Sequence, residues 1–98
     1  MTAIDNNQAV ERLMRFLAIE GITGQERAIG AEIVAALREA GVARKYIRFD
    51  KANEKTPLST ETGNLLVELP GVGQLKSAPP LLFMTHMDTV PLCAGAKP

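Results

Sequence analysis

An apolar run at residues 81–85 constrains the fold more than any other stretch of this chain. It reads Leu-Leu-Phe-Met-Thr, is entered through Pro79-Pro80, and is followed six residues later by Pro91. A short continuous apolar run between such breakers is typical of a strand that is buried on both faces of a covered sheet. The run therefore predicts a central strand, which requires neighbouring strands and covering helices.

The end of this predicted strand carries the only histidine of the chain, His86, and a carboxylate two positions later, Asp88. Because side chains alternate along a strand, an extended backbone places both on the same side. A neutral imidazole is a good zinc ligand when an acceptor fixes its tautomer, and Asp88 is placed to do so. The pair therefore predicts a metal ligand with an orienting carboxylate. The alternative is a histidine at the edge of the core, satisfied by one hydrogen bond.

Two amphipathic helices are predicted before the strands. Asp5 precedes apolar residues at helical spacing and predicts the cap of a first helix that runs almost to Gly21, which ends it. Thr23 and Glu26 form a capping-box pattern, in which each side chain bonds the backbone of the other, before a second helix. Gly41 is the expected left-handed stop of that helix.

Strands are predicted from Tyr46 to about Asp50 and at residues 64–69, with an exposed loop over residues 51–62. Together with the strand at 81–85, the order is helix, helix, strand, loop, strand, turn, strand. This order predicts an α/β fold in which two N-terminal helices pack on a sheet.

Composition excludes several function classes. Eleven basic and eleven acidic residues give a formal net charge of zero, which argues against nucleic acid or an anionic membrane as a partner. The sequence has no leader-like start and no long apolar segment, and its one cysteine, Cys93, forms no internal disulfide. These features predict a cytoplasmic protein, in which Cys93 is a plain loop residue rather than a nucleophile or ligand.

Two strings of the sequence resemble a known family. They are Gly-Asn-Leu-Leu at residues 63–66 and Pro-Leu-Leu-Phe-Met-Thr-His-Met-Asp-Thr-Val-Pro at residues 80–91. Both are similar to the zinc metallopeptidase family of peptidase T (tripeptide aminopeptidase), glutamate carboxypeptidase, aminoacylase and acetylornithine deacetylase. Residues 88–98 most resemble the peptidase T branch, and residues 23–26 resemble the family's N-terminal helical segment.

The resemblance implies that residues 1–98 are the N-terminal portion of a di-zinc peptidase catalytic domain with a mixed sheet. His86 would ligate one of two zinc ions, and Asp88 would be the catalytic-site carboxylate that orients it. The family's other ligands and its general base have no counterpart in this chain, so the chain alone is expected to be inactive. The implied reaction is hydrolysis of short peptides by metal-activated water, and any homo-oligomer would form through regions outside this chain.

Two alternatives stay open. The His-x-Asp pattern is shared by deacylases of N-acyl amino acids, which would act on a different substrate class. A non-catalytic α/β binding module is the other alternative, since one histidine and one carboxylate do not complete a zinc site. Without the further sheet and helices of a complete enzyme domain, the strand at residues 81–85 would have an uncovered apolar face, and we expect the isolated chain to associate.

Overall fold

The computed structural model describes residues 3–98 and contains two helices before its first strand. Helix α1 spans Asn6–Leu17, and the carboxylate of Asp5 caps it by accepting hydrogen bonds from the backbone N–H groups of Asn7 and Gln8. The cap predicted at Asp5 is confirmed. The helix ends at Leu17, short of the predicted end, and Gly21 lies in the connection beyond it.

Helix α2 spans Arg27–Glu39 and ends as predicted. Gly41 has a φ of +95°, and the backbone N–H groups of Gly41 and Val42 bond back to the carbonyls of Arg38 and Leu37. This is the Schellman arrangement, which requires a left-handed residue that glycine adopts without strain.

The beginning of α2 differs from the predicted capping box. The hydroxyl of Thr23 does not cap the helix, because it donates to Asp88 instead. The first helical N–H, that of Arg27, bonds the carboxylate of Glu61 at 3.1 Å, while the Glu26 carboxylate accepts from the backbone N–H of Gly24 at 2.8 Å. A side chain from a distant loop therefore provides the cap expected from Thr23.

The sheet consists of two antiparallel strands. Strand β1, Ile47–Phe49, pairs with strand β2, Leu65–Val67, in the register Ile47 with Val67 and Phe49 with Leu65. Both lie within the predicted strand regions, and helices combined with strands confirm the coarse α/β class. Within residues 3–98 the sheet has no further strand, so the mixed sheet implied by the resemblance is not formed there.

The loop between the strands is anchored at both ends. It begins with a 3₁₀ helix at Ala52–Lys55, and further on the N–H of Glu61 bonds the carbonyl of Gly24 at 3.0 Å. At the strand ends, the Asp50 carboxylate accepts from the backbone N–H and side-chain amide of Asn64, at 2.7 and 3.0 Å. The loop therefore also fixes the segment that precedes α2.

Residues 81–85 do not form the predicted strand. They have no regular secondary structure, and the side chains of residues 81–84 are 81% to 89% exposed. A buried strand needs a hydrogen-bonding neighbour and covered faces, and the described residues supply neither. The interpretation of these residues as a central strand is therefore wrong for this structure.

The core is small. Ile29, at 5% exposure, is the only buried hydrophobic side chain among the described residues. Gly21 allows its approach, since a Cβ at Gly21 would lie 2.7 Å from Cγ2 of Ile29. The accessible surface is 8330 Å², whereas a compact 10.5 kDa monomer is expected to have about 5,400 Å². The radius of gyration of 15.5 Å likewise exceeds the ~13 Å of a compact chain of this length. Much apolar surface is therefore uncovered.

Candidate metal-ligand segment

A short parallel bridge holds the His86 segment against the loop that precedes α2. The backbone N–H of Thr89 donates to the carbonyl of Gly21 at 2.9 Å, and the N–H of Thr23 donates to the carbonyl of Thr89 at 3.2 Å. The segment is therefore attached to the helical part of the molecule rather than to the β1–β2 sheet.

The structure brings His86 and Asp88 together. Nδ1 of His86 lies 2.9 Å from the backbone oxygen of Asp88 and 3.1 Å from its Oδ1. A carbonyl and an ionised carboxylate only accept hydrogen bonds, so Nδ1 is the atom that carries the ring proton. In the neutral ring the lone pair is then on Nε2, the nitrogen that would bind a metal.

The environment of the pair is open on the histidine side. The His86 side chain is 81% exposed, whereas that of Asp88 is 29% exposed. Within residues 3–98, no group hydrogen-bonds to Nε2 of His86. The ring is thus fixed through one nitrogen and presents the other to the solvent.

Asp88 is itself held by Thr23, whose hydroxyl donates to Oδ2 at 2.5 Å. This hydrogen bond is the main cause that holds the pKa of the Asp88 carboxyl below its ordinary value, and the neighbouring His86 acts in the same direction. Partial burial opposes the effect. Asp88 is therefore a carboxylate at neutral pH, as an acceptor for the imidazole N–H must be.

The residues present fit part of a zinc site. An imidazole with its second nitrogen bonded to a carboxylate is the usual arrangement of a zinc-bound histidine. However, the described part of the chain has no group of three or more His, Cys, Asp or Glu side chains placed to hold a metal ion. A catalytic zinc site usually has three protein ligands, so His86 would supply one ligand and further donors would be needed.

An apolar depression of about 260 Å³ adjoins His86. Its walls come from the end of α1, from the buried side of α2 and from residues 86–98, and they include Phe16, Ile33, Met87 and Cys93. Cys93 is exposed and has no disulfide partner. Among the described residues that line this depression, only His86 has a nitrogen in its side chain, and the Thr89 hydroxyl and the Cys93 thiol are the other polar groups.

Sequence reasoning missed Thr23 as a member of this group. Its position three residues before Glu26 favoured a helix cap, and nothing in the sequence links it to Asp88, which is 65 residues away. The bridge between Ile22 and Thr89 brings the two side chains together.

Comparisons with known proteins return no match: no family model, no curated protein and no solved structure matches the chain. The likeness to zinc peptidases therefore depends on the strings at residues 63–66 and 80–91 and stays a hypothesis. Among residues 3–98, no helix is both long enough and apolar enough to cross a membrane.

Proposed function

We propose that this chain is the N-terminal part of a di-zinc peptidase that hydrolyses short peptides, in which His86 is a zinc ligand and Asp88 orients it. The observation that carries the proposal is the contact of Nδ1 of His86 with the backbone oxygen and with Oδ1 of Asp88 while the ring stays exposed. A histidine that served only the core would have its ring buried. This ring has its free nitrogen turned outward instead.

The residues of this chain would bind and orient, and other donors would complete the site. Zinc bound at such a site supplies Lewis-acid activation of water for amide hydrolysis. Asp88 fixes the His86 tautomer and restricts rotation of the ring, and it adds negative charge that increases the basicity of Nε2. The proposal also includes a second zinc ion, a general base and a mixed sheet, which the complete domain would contain.

The uncovered surface supports an incomplete domain. The chain exposes about 2,900 Å² more than a compact monomer of its mass. Residues 81–84, directly before His86, are part of this surface. In the proposed enzyme, further sheet and helices cover these side chains and bring the missing ligands next to His86.

The test is a zinc titration followed by NMR of the imidazole. Because His86 is the only histidine, its ring signals need no assignment by mutation. We expect the Nε2 signal to shift on zinc addition, with weak affinity because one ligand is present. Asp88→Ala removes the orienting side chain and is expected to weaken binding by about 10- to 100-fold.

Two results would refute the ligand assignment. One is an Nε2 signal that does not respond to millimolar zinc, and the other is undiminished zinc binding by His86→Ala. Cys93→Ala is the matched control, because it removes the thiol that lines the depression and leaves the imidazole contacts unchanged. We also expect this chain alone to release no product from a tripeptide with a free amino terminus.

A non-catalytic binding module is the second candidate function. It is favoured by the lack of a third potential ligand near His86 within residues 3–98. The comparison with Asp88→Ala separates the two, since zinc affinity does not depend on Asp88 in a module, whereas the peptidase proposal predicts a loss of about 10- to 100-fold. A deacylase would bind zinc in the same way and differs only in cleaving N-acyl amino acids rather than tripeptides.

A further inference from the structure

We infer that Thr23 is a positioning residue of the metal-ligand segment, which acts through Asp88 to select the tautomer of His86. The inference rests on the proposed role of His86 as a ligand. It assigns a function to a hydroxyl that the capping pattern of the sequence would place at the helix. The relay has three members: the Thr23 hydroxyl, the Asp88 carboxylate and Nδ1–H of His86. The backbone oxygen of Asp88, 2.9 Å from Nδ1, accepts from the same N–H, so the Thr23 hydroxyl strengthens a preference that this oxygen already favours.

The two oxygens of the Asp88 carboxylate have different hydrogen-bond partners. Oδ2 of Asp88 accepts from the Thr23 hydroxyl at 2.5 Å, and Oδ1 lies 3.1 Å from Nδ1 of His86. With one oxygen fixed by Thr23, rotation of the carboxylate about its Cβ–Cγ bond is restricted. The other oxygen therefore stays directed at the imidazole, whereas an unrestrained carboxylate would divide its time among several orientations.

The backbone bridge makes this contact possible. Thr23 N–H and Thr89 N–H form the two hydrogen bonds of the bridge, so the residues that flank each side chain are fixed relative to each other. Thr23 therefore contacts Asp88 from a hydrogen-bonded position in the loop that precedes α2. The position of His86 is thereby linked to the segment that precedes α2.

The test reads the tautomer of His86 without any metal. Long-range ¹H–¹⁵N NMR of the ring in the unmodified chain should show the Nδ1–H form as the main tautomer. Thr23→Val keeps the shape of the side chain and removes the hydroxyl, and we expect the population of the Nε2–H form to rise measurably. Thr23→Ser restores the hydroxyl and should restore the original tautomer ratio.

Thr89→Val is the matched control. Its hydroxyl belongs to the same bridge but contacts the carbonyl of Gly21 at 3.4 Å, and it does not contact Asp88. We expect this variant to leave the tautomer ratio unchanged. The amide signals of β1 and β2 report whether each variant keeps its fold, and Thr23→Ala replaces Thr23→Val if those signals move.

The outcomes separate this inference from the proposed function. An unchanged tautomer ratio in folded Thr23→Val or Thr23→Ala overturns the positioning role, whether or not zinc binds. A changed ratio that Thr23→Ser reverses supports the role. Zinc binding is measured separately: a chain in which Thr23 controls the tautomer and His86 ignores zinc contradicts the proposed function but not the relay.

Discussion

Substitution of Phe83 by alanine discriminates between the structure and the strand that the sequence predicts. In the structure Phe83 is 89% exposed, although it lies in the most apolar run of the chain. A phenylalanine with this exposure has little packing to lose. The same residue in a covered central strand would be among the largest contributors to the core.

The expected magnitudes differ several-fold. Substitutions of exposed residues change the free energy of unfolding by about 0.5 kcal/mol or less. Phe→Ala at a buried position costs about 3–5 kcal/mol. For a domain of up to about 100 residues, 1 kcal/mol corresponds to ~4–8 °C in Tm, so the exposed position predicts a change below about 4 °C and the buried position one above about 12 °C.

The assay is urea and thermal unfolding of the chain, followed by far-UV circular dichroism at low micromolar concentration to limit association. Ile29→Val is the matched control, because Ile29 is the buried hydrophobic side chain and loses one methyl group. We expect it to cost about 0.5–1.5 kcal/mol. The structure therefore predicts that the smaller change at Ile29 has the larger effect.

A reversed order would refute the reasoning. If Phe83→Ala lowers the free energy of unfolding by more than Ile29→Val does, then residues 81–84 pack in a core in solution. Residues 81–84 would then be buried rather than exposed, and the result would support the strand predicted at residues 81–85.

Three further predictions concern the surface and the connection between the strands. Lysine at both Leu81 and Phe83 should reduce self-association of the chain in sedimentation velocity, because both apolar side chains are uncovered. Hydrogen bonds from the backbone N–H of Ala52 and from Asn64 hold the pKa of Asp50 below its ordinary value, so the stability that Asp50 contributes is present above that ordinary value and is lost as the pH falls through the lowered pKa. Asp50→Asn should flatten this acid limb in urea titrations at several pH values. Gly63→Ala should lower stability by about 1–3 kcal/mol in the same assay, since a Cβ would collide with the carbonyl oxygen of Asp50.

The sequence predicted those elements whose causes are local. The carboxylate of Asp5 lies within three residues of the groups that it caps, and Gly41 ends α2 through its own left-handed conformation. The positions of β1 and β2 followed from aromatic and β-branched residues among basic ones in the first case and from an apolar run in the second. For the cap and the helix end, the deciding interactions lie within a few residues of one another, whereas the pairing of Ile47 with Val67 did not follow from the sequence.

The predictions that were wrong depended on distant partners. The Thr23 hydroxyl can accept a hydrogen bond from a backbone N–H at the helix N-terminus or donate one to Asp88, and the outcome depends on a residue 65 positions away. The link between the helices was not predicted either: the Arg15 guanidinium forms ion pairs with Glu32 and Glu39 of α2. A local pattern does not encode which of several distant carboxylates a side chain will meet.

The proximity of His86 and Asp88 was predicted from strand alternation, but the structure achieves it in another way. Residues 81–88 belong to no strand, and Thr89 forms only an isolated bridge. Nδ1 of His86 contacts the backbone carbonyl of Asp88 as well as its Oδ1, so two oxygens of one residue hold the N–H of the ring. This arrangement depends on the bridge at Thr89 and on the Thr23 hydroxyl rather than on a sheet, so it can form before any further strand covers residues 81–84.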